Sequence, residues 1–135
     1  MIGLDLGSKR IGVSICDEKQ LIATPLKTIN RNSLHELISE LKVIIDENDI
    51  KGIVIGNPLN MDGSSGRSAQ SVKDTSQKIE ENIKIPICLW DERLSTVGAF
   101  NLSSQLDINV SKREKKIDEN AAAFILQGAI DFLNN

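Results

Sequence analysis

Ile2-Gly3-Leu4-Asp5-Leu6-Gly7-Ser8-Lys9-Arg10-Ile11-Gly12-Val13-Ser14-Ile15 opens the chain with two alternating runs broken by one short polar turn. Successive side chains of a strand leave on opposite faces, so Ile2, Leu4 and Leu6 share one face while Gly3 and Asp5 share the other. The turn Gly7-Ser8-Lys9-Arg10 brings the second run back beside the first, and Asp17-Glu18-Lys19-Gln20 ends it. A third short strand, Leu21 to Thr24, is expected to close before Pro25. Three strands joined by short turns make an antiparallel meander.

Outward from this meander the period changes. Ser33-Leu34-His35-Glu36 matches a capping box, in which the serine hydroxyl and the glutamate side chain satisfy each other's free amides. Leu34, Leu37, Ile38, Leu41, Ile44 and Ile45 follow at helical spacing, predicting a helix over 33–47 that packs one face on the sheet, with Asn48 as a left-handed stop. Gly52-Ile53-Val54-Ile55-Gly56 is wholly apolar and rich in β-branched residues, which after a helix means a parallel crossover strand covered on both faces. Beyond the loop Asn57 to Gly66, the residues Ala69, Val72, Ile79 and Ile83 predict a more polar helix, and Ile85-Pro86-Ile87-Cys88-Leu89-Trp90 predicts a second buried strand. A further helix is expected over 96–105, capped by Ser95 though interrupted by Gly98, and then a mobile basic loop over 106–116. Ala121, Ala122, Ile125, Leu126, Ala129 and Leu133 mark a final helix whose alanines allow close approach to another backbone. The order is βββαβαβαα, an α/β arrangement without internal repeat.

At 135 residues the whole span 1–135 fits one domain with a sizeable core. The first ten residues place an acid inside the apolar run and carry no basic leader, and no apolar run approaches the ~20 residues of a membrane span, so a cytoplasmic protein without membrane attachment is expected. Cys16 and Cys88 have neither zinc-ligand spacing nor the density of a disulfide scaffold, and both are expected as core thiols. A net charge of −3 excludes a polycation that coats nucleic acid, but it leaves room for local patches at Lys9-Arg10 and at Lys112, Arg113, Lys115 and Lys116. His35, alone and far from every acid in sequence, is expected on the surface.

Three acids stand at places where chemistry gathers. Asp5, inside an apolar strand, is expected to be buried or half-buried and needs a compensating partner, either a cation or a salt bridge to Lys9 or Arg10. Asp91-Glu92 follows a strand whose carboxyl end opens into a crevice, and only one of the two can point there. Asp118 is expected to open the final helix, where an acid also serves the helix dipole.

Four blocks together resemble one known family: Gly3-Leu4-Asp5-Leu6-Gly7-Ser8-Lys9-Arg10-Ile11-Gly12-Val13; Gly56-Asn57-Pro58-Leu59-Asn60-Met61-Asp62-Gly63; Asp91-Glu92-Arg93-Leu94-Ser95-Thr96; and Asp118 with Ala121-Ala122 and Ile125-Leu126-Gln127. The chain resembles the YqgF family, described as RuvX-type Holliday junction resolvases or pre-16S ribosomal RNA nucleases. The resemblance implies a ribonuclease H-like fold: a mixed five-stranded sheet, made of the antiparallel meander plus two parallel strands, with helices on both faces. It maps the family's acidic residues onto Asp5, Glu92 and Asp118. Asn57 stands where the family more often has an apolar residue and Ser14 where it often has alanine, departures that touch no acid.

Carboxylates converging without histidine or cysteine favour Mg²⁺ or Mn²⁺, expected as two ions with Asp5 bridging and Glu92 and Asp118 completing either side. Lys9, Arg10, Asn57, Asp62, Gly63, Arg67 and Arg93 are the candidate substrate contacts, with the glycine-bearing loop Asp62 to Gly66 either seating a phosphate or serving as a plain connection. With no tyrosine and few other aromatics, base stacking is not expected. The implied partner is nucleic acid, either a structured RNA precursor processed at the 5′ end of pre-16S rRNA or branched DNA in recombination and repair, met by a monomer or a weak homodimer. A non-catalytic nucleic-acid-binding protein is the reading from another class. The Gly3 to Ser8 run also resembles the first phosphate loop of actin-like ATPases, but those close two such domains around a nucleotide and this chain is too short.

Overall fold

The computed structural model describes residues 1–17, 19, 21–58, 66–91 and 110–133, with every side chain among them except Ser68 and those of 110–119. The meander is present as β1 (Ile2–Leu6), β2 (Arg10–Cys16) and β3 (Ala23–Asn30). Then follow α1 (Leu34–Asn48), β4 (Ile53–Asn57), α2 (Arg67–Asn82), β5 (Ile87–Asp91) and α3 (Val110–Leu133). The strands make one sheet in the order β3-β2-β1-β4-β5, antiparallel from β3 to β1 and parallel from β1 to β5. This is the mixed five-stranded sheet expected, and β1 lies at its centre.

Alternation along β1 decides which helix covers which face. Ile2, Leu4 and Leu6 join Leu37, Leu41, Ile53, Ile55, Val72 and Ile79 in one core, so α1 and α2 cover that side. Val54 joins Ile125, Leu126, Ala129 and Ile130 on the other, which belongs to α3. Each fully buried Ile or Leu is worth about 1.5–3 kcal/mol, so the two cores outweigh any single polar contact. Helices therefore lie on both faces of the sheet.

The expected β3 is corrected. It does not stop before Pro25 but runs through it, with Ser14 opposite Pro25, Val13 opposite Lys27, and a register shift between them. Proline is tolerated because β3 is an edge strand with a bulge at that point, where a missing amide costs no ladder bond. Leu21 and Ile22 precede the strand, and their amides donate to Asp17 Oδ1 at 2.7 and 3.2 Å.

Ser33 caps α1 as expected, its Oγ accepting from Glu36 N at 3.2 Å, but the Glu36 carboxylate is engaged by Asn32 Nδ2 at 3.1 Å. The left-handed stop falls at Asp49 (φ 52°), one residue later than Asn48, whose own Nδ2 donates back to Ile44 O. β5 is less buried than its apolar sequence suggested: it is the other edge strand, Leu89 is 37 % exposed, and Cys88 is exposed. Cys16 is half-buried, its Sγ accepting from the Met1 amino group, so neither thiol is a core residue. The start of α3 is also corrected, since 110–116 is helical rather than loop. Lys, Arg and Glu are good helix formers, and a helix anchored by its apolar C-terminal half extends through them without an apolar stripe of its own. The helix expected over 96–105, and 106–109, lie outside the described residues.

Candidate active site

Asp5 is half-buried near the carboxyl end of the central strand, on the α3 face. Its cross-strand partner is Gly12, and Gly56 lies one row beyond the paired Leu4 and Ile55, so the positions directly opposite Asp5 on both neighbouring strands are glycines. A carboxylate in that position needs a compensating partner, and Asp5 has one.

α3 approaches this face more closely than side chains normally permit, and Gly3 is why. A Cβ at Gly3 would meet Leu126 Cβ and Ser14 Oγ at 2.7 Å and Ala122 O at 2.9 Å. Ser14, completely buried, donates its hydroxyl to Ala122 O at 2.8 Å, with Gly3 O also near at 3.3 Å. Backbone of helix and backbone of sheet are thus locked at the level of Gly3 and Ala122.

From there the helix runs antiparallel to β1. Gln127 bonds Leu21 O and Ala23 N beyond the end of β2, and Ala129, Phe132 and Leu133 line a cavity with Met1 and Gly52 at the start of β1. The opposite direction leads to Asp5, two strand residues or about 6.6 Å past Gly3. It leads equally to position 118, one helical turn or about 6 Å before Ala122. Asp118 stands at helical spacing from the buried Ala121, Ala122 and Ile125. It does not open the helix, which begins eight residues earlier at Val110, so first-turn electrostatics do not account for it.

The acid pair after β5 divides by parity. Ile87 packs with the α1 and α2 core and Trp90 with α3, so Asp91, one residue after Trp90, belongs to the face opposite Asp5. It also has a partner of its own. Glu92 lies outside the described residues, as do Asp62, Gly63 and Arg93 and the Asp118 side chain. Among the described residues no three His, Cys, Asp or Glu side chains group together.

The remaining candidates gather at the same end of the sheet. Lys9 is exposed and Arg10 half-buried on the β1–β2 turn; Arg67 is exposed at the first position of α2; Asn57 ends β4. The Asn57 Oδ1 is buried without a partner among the described residues. His35 is exposed, as expected.

Two residues escaped the sequence reading. Arg31 donates from Nη1 to Gly7 O and from Nη2 to Thr75 Oγ1, both at 2.9 Å. Asn120, two residues past Asp118, is a buried polar group on α3. Neither has a sequence signature; a long-range guanidinium contact leaves no periodic trace.

Comparison with known proteins agrees with this architecture. The family model described as "RuvX: Holliday junction resolvase" matches residues 1–132. A protein of Pelagibacter ubique (strain HTCC1062), named "Putative pre-16S rRNA nuclease", is 74% identical over 134 residues, covering 99% of this chain and 89% of its own. One of the same name from Rhodobacter capsulatus is 44% identical over 133 residues, covering 98% of this chain and 84% of its own. Among solved structures, T. thermophilus RuvC in complex with a Holliday junction substrate superposes with a TM-score of 0.59 at 10% identity, covering 100% of this chain and 97% of that one. The yeast mitochondrial Holliday junction resolvase does so at 0.55 and 12%, covering 98% and 78%. At such identities these two establish the fold alone, which is ribonuclease H-like as expected. No described helix is long and apolar enough to cross a membrane. With a family model over nearly its full length and relatives at this identity, the chain belongs to the RuvX family, the family also called YqgF.

Proposed function

We propose that the chain is a metal-dependent nuclease acting as one domain in the cytoplasm, hydrolysing a phosphodiester at the 5′ end of precursor 16S ribosomal RNA. The observation that carries this reading is the placement of Asp5: half-buried, with a glycine opposite it on each neighbouring strand, toward the end of the sheet from which α3 runs down to its contact with Gly3. The parity of β5 supports Glu92 over Asp91 as the third acid, because Asp91 belongs to the other face.

An all-oxygen donor set of Asp5, Glu92 and Asp118 fits Mg²⁺ or Mn²⁺, hard cations that prefer carboxylates, and glycines stand opposite Asp5 on both neighbouring strands. Bound there, two ions supply activation of water and stabilisation of charge on the phosphate. The chain's own part is positional. Asp5 is held on the most enclosed strand, so its carboxylate loses little freedom on binding, and α3 is fixed to β1 by the Ser14 to Ala122 bond. Lys9, Arg10, Arg67 and Arg93 orient the substrate through its phosphates without reading sequence, while Asn57, Asp62 and Gly63 lie on or beside the loop toward α2.

The RNA reading leans on the 74% identical relative's name. A second reading, resolution of four-way DNA junctions, is favoured by the family description and requires a dimer, because a two-fold junction presents two cleavage points. Incubating the protein with Mg²⁺ or Mn²⁺ on labelled precursor rRNA and on a synthetic four-way junction tests both. Cleavage of the RNA alone is expected, and Asp5→Asn is expected to lower it by at least ~100-fold, the usual scale for losing one electrostatic catalytic group. An Asp5→Asn protein that cuts at the wild-type rate would remove Asp5 from the chemistry.

A further inference from the structure

The β1–β2 turn begins one residue after β1 and carries Lys9 and Arg10, the two cations nearest to Asp5 in sequence. Its path is held from outside. Gly7 N donates to Asp5 O at 3.1 Å, and a Cβ at Gly7 would lie 2.5 Å from Arg10 O, so the chain turns as tightly as glycine allows. Two carbonyls of the turn are taken by a single residue in the link between β3 and α1. The Arg31 guanidinium donates to Gly7 O and the Arg31 amide donates to Lys9 O, each at 2.9 Å. The same guanidinium reaches Thr75 Oγ1, only 8 % exposed in the middle of α2. One side chain therefore ties the turn to the helix that begins with Arg67, another candidate phosphate contact.

Two neutral acceptors do not require a charged donor; an amide or hydroxyl satisfies a carbonyl equally well, and half-burying a guanidinium costs solvation. Its fork is suited to bridging two rigid elements at fixed spacing, and its charge stays positive at the edge a polyanion would meet. Building on the nuclease reading above, we infer that Arg31 is a positioning residue for substrate: it fixes the β1–β2 turn so that Lys9 and Arg10 both meet backbone phosphates beside Asp5.

The test uses the full chain in an Asp5→Asn background, so that binding is measured without cleavage, with a labelled 5′ precursor 16S RNA fragment titrated across salt concentrations. Each phosphate contact on a single strand contributes about 0.7 to the slope of log Kd against log salt, so losing two lowers it by about 1.4. Arg31→Met is expected to lower the slope nearly as far as the double variant Lys9→Ala/Arg10→Ala, to lower it no further when combined with that double, and to be partly rescued by Arg31→Lys. An unchanged slope with a lowered melting temperature would reduce Arg31 to a structural strut. Slope losses that add in the triple variant would make Arg31 an independent phosphate contact, which also overturns the inference. Should Arg31→Met fail to fold, Thr75→Val removes only the α2 anchor and must itself lower the slope; an unchanged value there is equally fatal. A wild-type chain that binds the RNA but cleaves neither it nor the junction sinks the nuclease reading alone, and one that binds neither sinks both.

Discussion

Gly3 carries no side chain because α3 occupies the place where one would go. A single methyl there must displace Leu126, Ser14 and the Ala122 carbonyl, and a carbonyl of a packed helix does not yield cheaply. Gly3→Ala is expected to cost about 1–3 kcal/mol, the usual penalty of overpacking, read as a lowered urea midpoint with unchanged slope. Wild-type stability in that variant would mean that the helix is not locked to β1. Asp5 itself was legible: an acid alternating with buried Ile2, Leu4 and Leu6 had to sit on the opposite face and be partly enclosed. The choice between Asp91 and Glu92 rested on the longer reach of Glu92 and partly on resemblance; within β5, Ile87 and Trp90 face different cores, which puts Asp91 on the face opposite Asp5. Arg31 was not legible, since nothing local relates it to Gly7 or to Thr75.

The elements show where local pattern ends and neighbours take over. β3 was underread because Pro25 reads as a terminator, and only its place at the sheet edge, beside a bulge, makes it harmless. The turn before it is closed by Asp17, whose carboxylate accepts from Leu21 and Ile22, and those amide donors hold its pKa below the ordinary 3.8. A lowered folded value means that the turn is favoured wherever the carboxylate is ionised and loses that support as pH falls through the folded value. The Leu21 and Ile22 amide resonances are therefore expected to titrate together with a midpoint below 3.8, and a midpoint above it would break the link. Gln127 completes the turn from α3, its Nε2 donating to Leu21 O and its Oε1 accepting from Ala23 N. The basic start of α3 was underread for the opposite reason: periodicity sees apolar stripes, while Lys, Arg and Glu carry a helix by propensity alone.

Across the whole molecule, the carboxyl ends of β1, β4 and β5, the β1–β2 turn and the start of α2 lie at one end of the sheet, and the Trp90–Phe132 edge contact at 5.8 Å lies at the C-terminal end of α3. If the carboxylates hold Mg²⁺ only in the folded chain, the ion stabilises that state by about 2.7 kcal/mol at one hundred times its Kd. A rise in melting temperature with Mg²⁺ is expected in the wild type, reversed by chelator and absent in Asp5→Asn. An equal rise in both proteins would place the ion elsewhere.

The sequence by itself determined the antiparallel start, the parallel crossovers and the faces that the apolar residues of β1 and α1 bury, because each follows from a period of 2 or 3.6 within one segment. Its motifs determined the family. Tertiary structure alone decided that β1 is central, that β3 and β5 are edges, and that α3 lies antiparallel on β1 with Ala122 against Gly3. The strand order depends on pairings between separate segments, such as Ile2 with Ile53, and the seat of α3 on contacts more than a hundred positions apart, such as Ser14 with Ala122, and no local pattern encodes either.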